Sequence, residues 1–134
     1  NLPPTERRGL VLIDPPYEDT RGDFRAAASA IQDALERFAT SVVALWYPIK
    51  DTRQLKRFYN QLASSSSPKL LRVELLVHPA DDASRLSGSG VVIANPPWGL
   101  EEQLRELLPW LAQRLAQSQG SFQLDWLIEE KAGS

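Results

Sequence analysis

Cysteine and methionine are both absent from the 134 residues, and histidine occurs once, at His78. Without cysteine there can be no disulfide and no thiolate-ligated metal. A single histidine equally disfavours an imidazole-based centre, so no metal is expected. No apolar run reaches the ~18–20 residues that span a bilayer, and no basic-then-apolar leader opens the chain. A membrane is therefore not an expected partner, and the cytoplasm is the expected compartment. Strong charge of either sign is missing too: the formal net charge is −2. That gives no general attraction to nucleic acid, so any RNA contact must come from a local patch. The chain starts at Asn1 and passes quickly from Leu2-Pro3-Pro4 into a buried-type strand. It reads as part of a longer protein.

What is present is a regular alternation of two periodicities. Gly9-Leu10-Val11-Leu12-Ile13 is a short continuous apolar run, as in a strand buried on both faces. Residues 23–39 then take helical spacing, with Phe24, Ala27, Ile31, Leu35 and Phe38 on one side and Asp23 as the expected N-cap. Ser41 to Trp46 is a second strand, expected to stop before Pro48. Asp51 or Thr52 should cap a helix whose stripe is Leu55, Phe58, Tyr59 and Leu62, and Ser64 to Pro68 is a polar connector. Leu70–Val77 and Val91–Asn95 read as strands, with turn chemistry, including Gly88 and Gly90, between them. Leu100 to Leu115 carries a leucine stripe that Pro109 should kink or split. Phe122, Leu124, Trp126 and Ile128 alternate as in a last, half-buried strand. Strands alternating with helices argue for an α/β fold with a mostly parallel sheet. The back-to-back strands at 70–95 are too closely joined for a helical crossover, so an antiparallel hairpin on the sheet edge is expected.

Asp14-Pro15-Pro16-Tyr17 follows the first strand directly, and ligands of open α/β sheets bind at the carboxyl ends of strands. The tetrapeptide suits methyl transfer to an aromatic amine. Adenine's amino nitrogen is a poor nucleophile because its lone pair is delocalised into the ring. A carboxylate accepting one N–H (Asp14) and a backbone carbonyl accepting the other (Pro15) pull that nitrogen toward a geometry able to attack a sulfonium methyl. Two consecutive prolines fix φ and leave no N–H to satisfy, so the turn is stiff. Pro16 and Tyr17 would contact the substrate, the tyrosine ring stacking on a flipped-out base for roughly 1–3 kcal/mol. Positioning carries most of such a rate.

The segments ERRGLVLIDPPYE, FATSVVALWYPI and SGVVIANPPWGLEEQL together resemble the bacterial 23S rRNA adenine-N6 methyltransferase family called large-subunit methyltransferase J. The likeness runs from about Glu6 to Ile128. It implies a Rossmann-like class I methyltransferase using S-adenosylmethionine to modify adenine 2030 of 23S rRNA, with Asp14 both catalytic and against the cofactor. The family's glycine-bearing cofactor loop and the acidic residue ending its second strand lie upstream of the motif, and its helical insertion is missing here as well. The resemblance thus makes residues 1–134 the C-terminal half of one domain, a partial fold lacking its cofactor-binding half. Such a fragment is expected to be inactive alone, and dimeric or aggregation-prone.

Other residues carry two readings each. Asn95-Pro96-Pro97-Trp98 copies the motif, but an antiparallel strand would carry it to the opposite sheet edge, where it stops a strand and starts a helix. Tyr47, ending a strand parallel to the first, is a candidate for the adenine pocket and equally for interior packing. Lys50, a candidate substrate contact, heads the basic cluster Arg53, Lys56 and Arg57, which serves either as phosphate contacts or as a solvated face. Glu18 to Gly22 could close over the base or be an ordinary loop, and His78 is read as chemically silent. Three rivals remain. A DNA adenine methyltransferase should bring a target-recognition region that finds no room here. A protein glutamine methyltransferase typically has Asn where Asp14 stands. A catalytically silent RNA-binding module of the same fold is the third.

Overall fold

A computed structural model describes residues 9–17, 20–64 and 69–129. The elements run β1 (Leu10–Ile13), α1 (Thr20–Arg37), β2 (Val42–Ile49), α2 (Thr52–Ala63), β3 (Leu70–Leu76), β4 (Gly88–Ala94), α3 (Leu100–Leu115) and β5 (Ser121–Ile128). They form a five-stranded sheet in the order β1-β2-β4-β3-β5.

The α/β class holds, but the pairing differs from expectation. Only β1 and β2 pair in parallel; β2/β4, β3/β4 and β3/β5 are antiparallel. The short link after β3 forces β4 to return beside it, as the sequence suggested. β4 does not stay at the edge, however. It inserts between β2 and β3, and β5 closes the far side.

Strand periodicity divides the core into two layers. Along β2, Val43, Leu45, Tyr47 and Ile49 are buried and join Phe24, Ala27, Ala28, Ile31 and Leu35 of α1 and Leu55, Phe58 and Leu62 of α2 in one cluster. Leu70 belongs to that cluster; its neighbour Leu71, fully buried, does not and points to the other face. There α3 packs on β3 and β5, burying Leu108 and Ala112.

Four local expectations are revised. Helix α1 starts at Thr20, so Asp23 lies in its first turn, where a carboxylate favours the helix dipole, and is not the cap. β2 continues through Pro48 to Ile49. β1's last pairing is Ile13 with Leu45, so one edge of β2 is open where the proline falls. Pro109 does not split α3, which runs unbroken from Leu100 to Leu115. Gly88 and Gly90 lie within β4, not in a turn. Asp51 caps α2 as expected, its carboxylate accepting from the Arg53 N–H at 3.0 Å. Glu18 and Asp19 of the expected closing loop lie outside the described residues, as do residues 65–68 and 1–8.

Candidate active site

Asp14 begins where β1 ends, on the rim shared with the carboxyl end of β2. Its side chain is solvent-exposed, Pro15 is half-buried and Pro16 exposed. Neither proline has an N–H to continue the ladder to β2. The Tyr17 hydroxyl takes over that duty, donating to the Trp46 carbonyl at 2.6 Å. The tetrapeptide is thus a bracket, held by the strand at one end and by a tyrosine bolt at the other. Tyr17 is half-buried, its ring 5.0 Å from that of Phe24 and edge-on to Trp46 at 5.8 Å. Burial, with the charges of Asp14 and Asp23 adding to it, pushes the Tyr17 hydroxyl above its ordinary range. It is a fixed donor.

Tyr47 is not on the rim surface: its side chain is 0% exposed. Of its two readings the structure takes the interior one, which removes it as an adenine contact. The reason lies in the register. Tyr47 stands opposite Gly90, which stands opposite Glu74. With no side chain on Gly90, the tyrosine lies across it and reaches Glu74, donating to Oε2 at 2.8 Å. Tyr59 donates to the same oxygen. Burial raises the Glu74 carboxyl above the ordinary range, the Tyr47 hydrogen bond opposes that, and the Asp125 charge adds to it. Nothing in the motifs announced this network.

Lys50 is exposed just past β2, on the motif's rim. The basic cluster following it is not one patch. Arg53 bonds back to Asp51, Lys56 lines a cavity with Glu74 and Tyr59, and Arg57 faces α1 beside Arg25. His78 contacts Ser118 Oγ at 2.7 Å and Gln117 Oε1 at 3.0 Å, tying the end of β3 to the segment after α3. Asn95 is turned into the left-handed region (φ 53°), which asparagine tolerates. Its amide donates to the Ala39 and Ser41 carbonyls, both at 3.0 Å. It therefore sits by the start of β2, at the opposite sheet edge from Asp14, and serves structure.

Residues 1–128 match the family described as "Ribosomal RNA large subunit methyltransferase D, RlmJ". The chain belongs to this family. It is 44% identical over 130 residues to the ribosomal RNA large subunit methyltransferase J of Haemophilus influenzae, and 42% identical over 130 residues to that of Escherichia coli. Each alignment covers 96% of this chain and 46% of the relative. The chain thus spans about half the length of the curated relatives it matches. The crystal structure of a Legionella pneumophila protein of family DUF519 superposes with a TM-score of 0.77 at 29% identity, over 92% of this chain and 45% of that one.

Such a family implies a methyl donor, and the residues present fit part of its site. Asp14 offers an exposed carboxylate at the rim, which suits one edge of S-adenosylmethionine. No glycine cradle accompanies it among the described residues. A Cβ on Gly88 would lie 2.1 Å from the Leu75 carbonyl, and one on Gly90 2.3 Å from the Tyr47 ring, so both serve strand packing. No cluster of three or more potential metal ligands occurs among the described residues. No described helix is long and apolar enough to cross a membrane.

Proposed function

We propose that this chain carries the catalytic edge of an S-adenosylmethionine-dependent methyltransferase that modifies the N6 amine of an adenine in 23S ribosomal RNA, adenine 2030 by family likeness. The cofactor, when bound, supplies an electrophilic methyl group. The carrying observation is the exposed Asp14 at the end of β1, on a two-proline bracket bolted by Tyr17 to the Trp46 carbonyl. Asp14 accepts one amine N–H and the Pro15 carbonyl the other. Both leave the nitrogen lone pair facing the donor side, and a rigid bracket keeps the two acceptors in place without reorganisation. Pro16 and the free part of the Tyr17 ring border the base, and Lys50 stands on the same rim for a backbone phosphate. The remaining cofactor contacts come from outside residues 1–134, which makes this chain half of a site.

The test is methyl transfer by the full-length protein to 23S rRNA lacking modifications, with duplex DNA in parallel. Asp14→Ala and Asp14→Asn should each lower kcat by 10²–10³, about 2.7–4 kcal/mol of barrier by analogy with a lost oxyanion donor, with RNA affinity kept. An Asp14 variant retaining more than a tenth of the activity removes this residue from the mechanism, and transfer to DNA alone replaces the RNA reading.

A further inference from the structure

The net charge of −2 leaves RNA attraction to a local patch, and the fold assembles one by bringing Arg57 of the basic cluster beside Arg25, which no motif marked. Helices α1 and α2 follow parallel strands on the same sheet face, so both begin near the motif's rim. Between them opens a cleft of about 160 Å³ lined by Phe24, Arg25, Gln54, Arg57, Phe58 and Gln61. Arg25 and Arg57, far apart in sequence, are both exposed at this cleft, and neither enters an ion pair among the described residues. Gln54 lines the same cleft, its Oε1 buried without a hydrogen-bond partner. Phe24 joins the cleft to the active edge, because the same ring packs 5.0 Å from Tyr17.

Two guanidiniums that are unpaired among the described residues form a donor set for phosphate oxygens, planar forks being suited to that geometry. We propose that the Arg25–Gln54–Arg57 cleft seats a backbone phosphate of the RNA strand whose target base stacks on Tyr17. This rests on the functional reading above and extends it: the cleft fixes the strand's path from the motif across the α1/α2 layer. The phosphate source is the polynucleotide and not free nucleotide, since the seat is offset from the base site by a whole phenylalanine ring.

The test uses the full-length protein and direct binding to a 23S rRNA fragment across a salt series, with methyl transfer measured in parallel. Arg25→Gln with Arg57→Gln should lower the slope of log K against log[salt] by up to about two and raise the KM for RNA at least tenfold. The kcat at saturating RNA should stay within about twofold, since neither arginine touches the reacting atoms. Arg25→Lys with Arg57→Lys should restore the slope, because charge sets it, and Arg114→Gln on α3 should leave it unchanged. An unchanged slope in the Gln pair overturns the proposal even if wild-type methylates rRNA. Binding of phosphate or AMP weakened as strongly as RNA would place the seat on free nucleotide, which overturns it too. Absence of rRNA methylation by wild-type protein would count against the functional reading, while the binding slope still decides the cleft.

Discussion

At the scale of single residues, Tyr17 and Glu74 show how a hydroxyl and a carboxyl acquire duties their neighbours impose. Stacking alone would make Tyr17→Phe nearly silent. The 2.6 Å bond to the Trp46 carbonyl says otherwise, because Pro15 and Pro16 cannot replace the donor. Tyr17→Phe should cost about 1 kcal/mol of stability and reduce kcat severalfold through a loosened bracket. Tyr17→Ala should abolish most turnover. Thermal melts beside methyl transfer separate the two, and a Phe variant identical to wild type in both would show that the bolt is idle. Glu74 works in the opposite sense. Its carboxyl is raised by burial, so the folded state holds that proton more tightly than the unfolded one. This contribution favours folding below the ordinary glutamate pKa of about 4.3 and is lost as pH rises toward the raised value. Glu74→Gln keeps an oxygen for Tyr47 and Tyr59 but has nothing to ionise. Its Tm relative to wild type should therefore climb between pH 4 and pH 8, and a gap constant across that range would contradict the assignment.

At the scale of elements, what could be read along the chain is what local chemistry decides. The apolar run of β1, the stripe of α2 and the Asp51 cap depend on neighbours within a few residues, and each was legible. The stiff two-proline turn was legible as well, but its Tyr17 bolt was not, because the Trp46 carbonyl it reaches lies 29 residues along the chain. Partners distant in sequence were not legible. Nothing near Pro48 says that β1 stops at Ile13 and frees an edge of β2, so the strand looked shorter than it is. Nothing near Gly90 says that Tyr47 will lie on it, so two strand glycines resembled a turn. Likewise Arg25 and Arg57 meet only once the helices are laid side by side, whereas Arg53, Lys56 and Arg57 of α2, which looked like one patch, point to separate surroundings. The Gly90 case can be checked directly. An added Cβ would lie 2.3 Å from the Tyr47 ring, which cannot retreat inside a packed core, so Gly90→Ala should cost about 1–3 kcal/mol. Combined with Tyr47→Leu, the loss should be less than the sum by at least about 0.5 kcal/mol. Simple additivity in denaturant melts would mean that the two residues do not share the space.

At the scale of the whole molecule, the decisive feature is the edge at β1. Among the described strands β1 pairs only with β2, yet its sequence is that of a strand meant to be enclosed. Leu10 is 66% and Leu12 73% exposed, and no charge, proline or glycine interrupts Leu10–Ile13. These are the devices by which natural edges avoid unwanted pairing. On the proposed reading the edge is a seam: a neighbouring strand from the rest of a chain about twice this length covers it and brings the other half of the cofactor site. The seam has opposite consequences in the two contexts. In the isolated 134-residue chain, open N–H and C=O groups beside apolar side chains should capture a second copy, giving dimers or aggregates by light scattering. Leu10→Lys with Leu12→Lys should restore a monomer there, because charged side chains oppose strand addition. In the full-length protein the same pair should destabilise by several kcal/mol, since it would bury two charges without partners. An isolated chain that is a monodisperse monomer without the lysines, or a full-length protein indifferent to them, would mean that β1 is an ordinary outer strand and that the seam lies elsewhere.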